Sequence, residues 1–289
     1  DAYIVRDFEQ FNSPERIRTV FLDAAIKGMA MYINGKVASL VTAGNFNKYP
    51  LLKSGTPGQI DATSMTTAMG YLSNAQIPVR DTANMFACVN PFPYFSMAGS
   101  TYWSAQSQVG YQMAEKIRQN AMIGQQFGAQ IDFDQQVPTT TTAQTGTVAA
   151  TNGSAAVVGT STAAASTWVG QFVTFAGDTT ATPYQVLSVT DATHFALTAP
   201  YAGTTTSGQA VNFLNFQNLL FHRNAMALAT RPLPEPDGRV VDYTYIKWKG
   251  VPIRIQVGYN QLKAGYVVSL DAGFAYGVIR ADHGILLAC

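Results

Sequence analysis

The chain has three histidines, and one of them stands in a dense polar triplet, His222-Arg223-Asn224. Near neutral pH an imidazole can act as general base, proton shuttle or metal ligand. Here it lies between two apolar runs, Leu219-Leu220-Phe221 and Ala225-Met226-Ala227-Leu228-Ala229, with a proline-punctuated tail beyond. That pattern predicts strand, tight corner, strand. A helix is the rival reading, because Ala, Met and Leu favour it. In the corner reading the polar residues serve backbone and solvent, and His222→Ala is expected to cost little in folding. His283 adjoins Asp282, but sequence neighbours on a strand face opposite ways. His194 opens a short apolar run, His194-Phe195-Ala196-Leu197.

A second candidate is the pair Asp132 and Asp134. At i, i+2 on a strand the two carboxylates share a face, as paired acids or calcium ligands would need. The plainer reading is the solvent face of a strand whose inner face carries Ile131 and Phe133. Cys88 and Cys289 lie far apart with no ligand spacing, so both are expected as free thiols in a reducing compartment, with no metal and no disulfide. Asn152-Gly153-Ser154 matches a glycosylation sequon but reads as a turn. No G-x-S-x-G, HExxH, Walker or Rossmann pattern occurs, and Gly35-Lys36 lacks a phosphate-cradling glycine loop. The sequence thus assigns no catalytic, cofactor-binding or metal residue, and predicts neither enzyme nor cofactor.

Composition points the same way. The 289 residues are 47% hydrophobic, ample for a core, yet only 12% charged with net charge +1. Nothing here calls for long-range attraction to nucleic acid or an acidic membrane. A weakly charged surface rich in Gln, Asn and Thr implies that other chains cover much of it. No stretch approaches the roughly 18 apolar residues of a membrane helix, and no signal peptide is visible. The chain opens at Asp1 and not at methionine, as expected if an N-terminal piece has been removed or left out of this sequence.

The elements that must position these residues are partly legible. Ser13-Pro14-Glu15 is a helix start, with a hydroxyl cap and proline in the first turn. Apolar residues then recur at Ile17, Val20, Phe21, Ala24, Gly28, Met31, Gly35, Ala38 and Val41. Gly44 is the natural stop, for a helix of about 30 residues and about 45 Å. Residues 45–62 are loop-like. Thr63 to Asn74 predicts a helix with Met65, Ala68, Met69 and Leu72 inward. Met85-Phe86-Ala87-Cys88-Val89 predicts a buried strand, ended by Asn90-Pro91, with a helical turn after it. Tyr102 to Met122 reads as mostly helical. From Phe127 the period becomes two, predicting a strand.

The composition then shifts. Pro138 to Phe213 contains no Lys or Arg and only two acids, Asp178 and Asp191. Strand-like runs 172–175, 184–189 and 194–197 are separated by turn residues. This predicts a small all-β domain inserted into a host domain, with partial strand structure over 139–165. It is expected to fold on its own. Beyond it, Tyr243 to Trp248, Gly250 and Ile253 to Val257 predict a hairpin, and 266–270 and 274–279 are expected in the same sheet. If 225–230 is a strand, Ala225, Ala227 and Ala229 share a small face for close approach to the long helix at Gly28 or Gly35. Met226 and Leu228 then fill the core.

The order of these pieces resembles the major capsid protein of tailed double-stranded DNA bacteriophages, with the Hong Kong 97-type fold. The likeness is closest to podophage coat proteins that carry an inserted β domain. The long helix from Pro14 is similar to that family's spine helix. "MFACVNPFPYFSMAG" resembles its strand, Asn-Pro, helix segment, and "GQQFGAQIDFDQQVP" the strand before the insertion. "GQFVTFAG" and "YQVLSVTDATHFAL" resemble strands of the insert, and "YVVSLDAGFAYGVIRADHGILL" the C-terminal strands. In the family an N-terminal arm and a hairpin loop precede the spine helix, whereas only Asp1 to Asn12 precede it here.

The expected fold class is therefore α+β. Residues 1–137 are the spine helix and first part of the body, 138–213 the inserted β domain, and 214–289 the strand-rich second part. The resemblance implies self-assembly, as hexamers and pentamers, into an icosahedral shell around double-stranded DNA bound without sequence specificity. It implies scaffolding, portal and decoration proteins as partners, no membrane, assembly in the bacterial cytoplasm and residence in the virion. The alternative is an extracellular or virion-surface binding protein that uses the Thr-rich insert as its binding module. A hydrolase built on Asp132 and Asp134 is the third reading.

Overall fold

The computed structural model describes residues 2–6, 14–55, 57–105, 109–178, 180, 182–234, 242–248, 250–263 and 265–289. The chain is α+β and mostly strand. In chain order come β1 (Ala2–Arg6), α1 (Pro14–Ala38), β2 (Leu52–Lys53), α2 (Ala62–Asn74), β3 (Met85–Val89), α3 (Pro91–Gly99), α4 (Thr101–Ser104) and α5 (Tyr111–Asn120). Then follow β4 (Gly124–Gln126), β5 (Ala129–Phe133), β6 (Thr139–Ala143), β7 (Thr147–Ala150), β8 (Ala156–Thr160), β9 (Phe172–Phe175), β10 (Tyr184–Asp191), β11 (His194–Leu197) and β12 (Thr206–Gln209). The last are β13 (Val211–His222), β14 (Met226–Arg231), β15 (Asp242–Trp248), β16 (Val251–Asn260), β17 (Gly265–Asp271), β18 (Gly273–Val278) and β19 (Gly284–Ala288). Two compact units form: Asp1–Leu40 with Met226–Ile279, and Val41–Ala225 with Arg280–Cys289.

In the first unit, α1 lies against an antiparallel sheet of order β1-β17-β16-β15. The β15–β16 hairpin closes at Gly250, whose φ of +90° suits a tight turn. Strand alternation turns Ile253, Ile255 and Leu270 to the helix, where they bury Ile26 beside Met29 and Trp248. On the opposite face Arg254 donates to Asp271 at 3.0 Å.

Helix α1 corrects the sequence reading twice. It ends at Ala38 and not at Gly44, after 25 residues or about 38 Å. The Ser39 hydroxyl bonds the Lys36 carbonyl at 2.7 Å and the chain turns away. The inward stripe is Ile26 and Ile33, two turns apart, whereas Gly28 is exposed and Met31 is 55% exposed. A stripe through 24, 28, 31 and 35 also has helical period but the opposite phase. The phase with two isoleucines wins because it removes more apolar area from water. The Ser13 cap lies outside the described residues, as do the side chains of Ile17, Val20 and Phe21.

Strand β18 pairs β14 in a separate two-stranded ribbon and does not join β17's sheet. The prediction for Leu228 fails: it is 43% exposed and lines a cleft of about 250 Å³ with Met29, Ile33, Val37 and Trp248. The large face of β14, not its alanine face, thus looks toward α1.

The second unit is built on a 13-stranded sheet. Its axis is β13. Residues 211–216 of that strand pair with β9 and β6, and residues 217–222 with β3 and β19. One core gathers Trp168, Val173, Phe175 and Phe195 around the first half. Another gathers Met65, Leu72, Met97, Trp103 and Leu220 around the second. The compositional boundary at Phe213 therefore falls inside a strand. Two further expectations shift here. Phe127 lies in the β4–β5 turn at φ +52°, not in a strand, and the helix over 102–122 is broken, with Gly110 at φ +81°.

Gly146, between β6 and β7, tests this description. Its φ is +80°, and a Cβ there would sit 2.5 Å from the Ser161 carbonyl carbon. Gly146→Ala should cost at least about 2 kcal/mol, combining left-handed strain with a backbone clash. Denaturant midpoints against the parent chain check this.

Candidate functional site

From its middle to its end, one face of β13 carries Phe216, Asn218, Leu220 and His222, all buried. Two of these four are polar, so each needs partners.

Asn218 is 0% exposed. Its Oδ1 accepts from the Asn90 amide at 2.8 Å, and its Nδ2 donates to the Leu287 carbonyl at 3.1 Å and to Cys289 Sγ at 3.2 Å. Asn90 in turn caps α3, its Oδ1 accepting from the Phe92 amide at 3.1 Å. One carboxamide thus joins the end of β3, the start of α3 and the last strand. Burial pushes the Cys289 thiol up to about 12, against the Asn218 contact, which lowers it. Burial also pushes Cys88 up to about 12, helped by the charges of Asp134 and Asp132. Both cysteines are free and hold their protons at neutral pH, which removes them as nucleophiles.

The triplet is the corner at the end of β13. Arg223 binds Asn84 twice, amide to carbonyl at 2.8 Å and Nη1 to Oδ1 at 3.0 Å. The Asn224 amide donates to His222 Nδ1 at 3.3 Å, and the Ala225 amide to the His222 carbonyl at 2.8 Å. The Arg280 amide donates to the Ala225 carbonyl at 3.2 Å. His283 follows, its ring 5.6 Å from that of His222 at 71°. His222 is 4% and His283 7% exposed. Burial first, and then the neighbouring His283, hold the His222 pKa below its ordinary value, with Asp81 opposing and Arg223 assisting. The neutral ring is therefore the folded form. Its contribution to stability is full above the ordinary imidazole pKa and is lost as pH falls through that value toward the depressed one.

The structure brings together His222 and His283, which the sequence does not. His194 is elsewhere, exposed at the start of β11 beside Asp191 at 3.0 Å. The Thr193 amide, then His194 and the Thr193 hydroxyl, hold the Asp191 carboxyl well below the usual carboxylate range. Asp132 and Asp134 are each committed to local backbone: Asp132 accepts from the Phe133 amide and Asp134 from the Gln136 amide, both at 2.8 Å. Among the described residues no group of three or more His, Cys, Asp or Glu gathers to hold a metal. None of the described helices is long and apolar enough to cross a membrane.

Aromatic side chains also reach the surface of the second unit. Phe95 is 51% exposed and packs on Phe133 at 5.4 Å, while Phe92 packs on Phe172 at 5.3 Å.

No protein-family model matches this chain, and no curated protein matches it. Solved structures do. A chain from Mycobacterium phage Che8 superposes with a TM-score of 0.51 at 12% identity, over 99% of this chain and 68% of that one. A chain from the capsid structure of the Cyanophage P-SCSP1u gives 0.51 at 13% identity, over 99% and 70%. The chain shares its fold with these phage proteins along nearly its whole length.

Two substitutions probe the site. Asn218→Leu leaves the Asn90 amide buried without its partner, removes the side-chain bonds to Leu287 and Cys289, and should cost about 1–3 kcal/mol. His222→Ala, contrary to the sequence expectation, empties a buried position and should cost about 1–3 kcal/mol. Equilibrium unfolding at neutral pH measures both.

Proposed function

We propose that the chain is the major capsid protein of a tailed double-stranded DNA bacteriophage. The observation that carries this reading is the shared fold, over 99% of the chain, with a chain from a phage capsid structure. In this reading the fold is of the Hong Kong 97 type, α1 is the spine helix, and residues 138–213 are an inserted β domain of the podophage kind. Residues 1–137 and 214–289 make the body.

The work is geometric. Copies of the chain bind one another as hexamers and pentamers and close an icosahedral shell, and no bond is made or broken. Three features support a structural role over a catalytic one. Arg223 and the accepting ring nitrogens of His222 and His283 are engaged in hydrogen bonds that hold the corner. The thiols, Cys289 buried and Cys88 half-buried, are protonated. The exposed aromatic residues and the low charge suit a surface that other subunits cover. Net charge +1 suits a wall that confines DNA without gripping it. Scaffolding, portal and decoration proteins are the partners the reading implies, with assembly in the host cytoplasm and residence in the virion.

Sedimentation velocity on the purified chain tests this. The expected result is a fast boundary of closed particles, dissociable to subunits by denaturant. A single slow species of one to a few chains, unchanged by concentration or by added scaffolding protein, would contradict it.

A further inference from the structure

Both buried imidazoles spend their lone pair as a hydrogen-bond acceptor. His222 Nδ1 accepts from the Asn224 amide, and His283 Nε2 lies 3.3 Å from Arg280 Nη1, which can only donate. Each ring must therefore carry its single proton on the other nitrogen, His222 on Nε2 and His283 on Nδ1. Those two N–H groups are buried and meet no protein acceptor. A second proton can enter either ring only at the accepting nitrogen. Protonation then sets N–H against N–H and breaks the bond that shapes the corner.

The surroundings favour this outcome over a settled imidazolium. Arg223, on the corner itself, disfavours charge on His222, and so does His283 from the 280–283 turn. Arg280 stands on the His283 ring. The opposing charge on His222 is Asp81, from the loop before β3, and that carboxylate already accepts from Asn84. Asp282 adjoins His283, and its charge acts on Tyr49. The location matters as well. Ala225 is the residue from which the chain passes out of the second unit, and Arg280 the residue at which it returns.

We propose that His222, packed on His283, is an acid-opened latch: protonation at Nδ1 breaks the Asn224–His222 hydrogen bond and frees segment 223–225 together with the 280–283 turn bonded to it. The latch is shut near neutrality and opens in mild acid. This goes beyond the shell reading and does not depend on it.

Amide hydrogen exchange on the whole chain, corrected for the intrinsic effect of pH, tests the latch. Between about pH 7.5 and about pH 5 the Asn224, Ala225, Arg280 and His283 amides should lose about tenfold or more in protection, while Leu219 and Leu220 keep theirs. The double variant His222→Gln/His283→Gln should lose this response. Protection that ignores pH in the parent chain would overturn the proposal, as would a response that persists in the double variant. Should the double variant not fold, imidazole 15N shifts of the parent chain decide. The latch requires His222 as the Nε2–H tautomer near neutrality, and the opposite assignment refutes it.

Discussion

Strand β13 is the constraint on which the second unit rests. Twelve residues long, it bonds β9 and β6 with its first half and β3 and β19 with its second. Two hydrophobic cores share it. At its midpoint a fully buried carboxamide, Asn218, must be satisfied or the strand is costly to bury at all. Its partners are the Asn90 amide and the Leu287 carbonyl, so satisfying it fixes where α3 begins and where the chain's last strand lies. A buried polar group of this kind specifies more than it stabilises. An apolar residue would fill the space but would not dictate those two partners.

The corner at the far end of β13 extends the same logic. His222 and His283 are buried and each offers one ring nitrogen as an acceptor, and the arginines beside them bind backbone and side-chain acceptors. This is polar chemistry employed to hold a turn.

Local signals made much of this legible in the sequence. Asn90-Pro91 states both the end of β3 and the cap of α3. Gly250 marks its hairpin, and the alternating runs at 172–175 and 194–197 are strands to the residue. The strand, corner, strand reading of 219–230 holds, although β13 and β14 do not pair with each other. What the sequence concealed is long-range. The partner of β18 is β14 and not β17, a choice made by sheet assembly and not by local pattern. Helix α1 carries two apolar stripes of equal period, and only the opposing sheet decides between them. His222 and His283 meet because β13 and the 280–283 turn converge. Asn218 reads as an interruption in an apolar strand until its partners, more than sixty residues away on either side, are in place.

The central claim is that β13 makes the two cores of the second unit a single cooperative structure. Native-state hydrogen exchange along β13, followed across sub-denaturing concentrations of guanidinium, measures it directly. The account predicts that amides in 211–216 and in 217–222 converge on one opening free energy with one denaturant dependence. Two separate isotherms, with the 211–216 half opening while the 217–222 half stays closed, would contradict it.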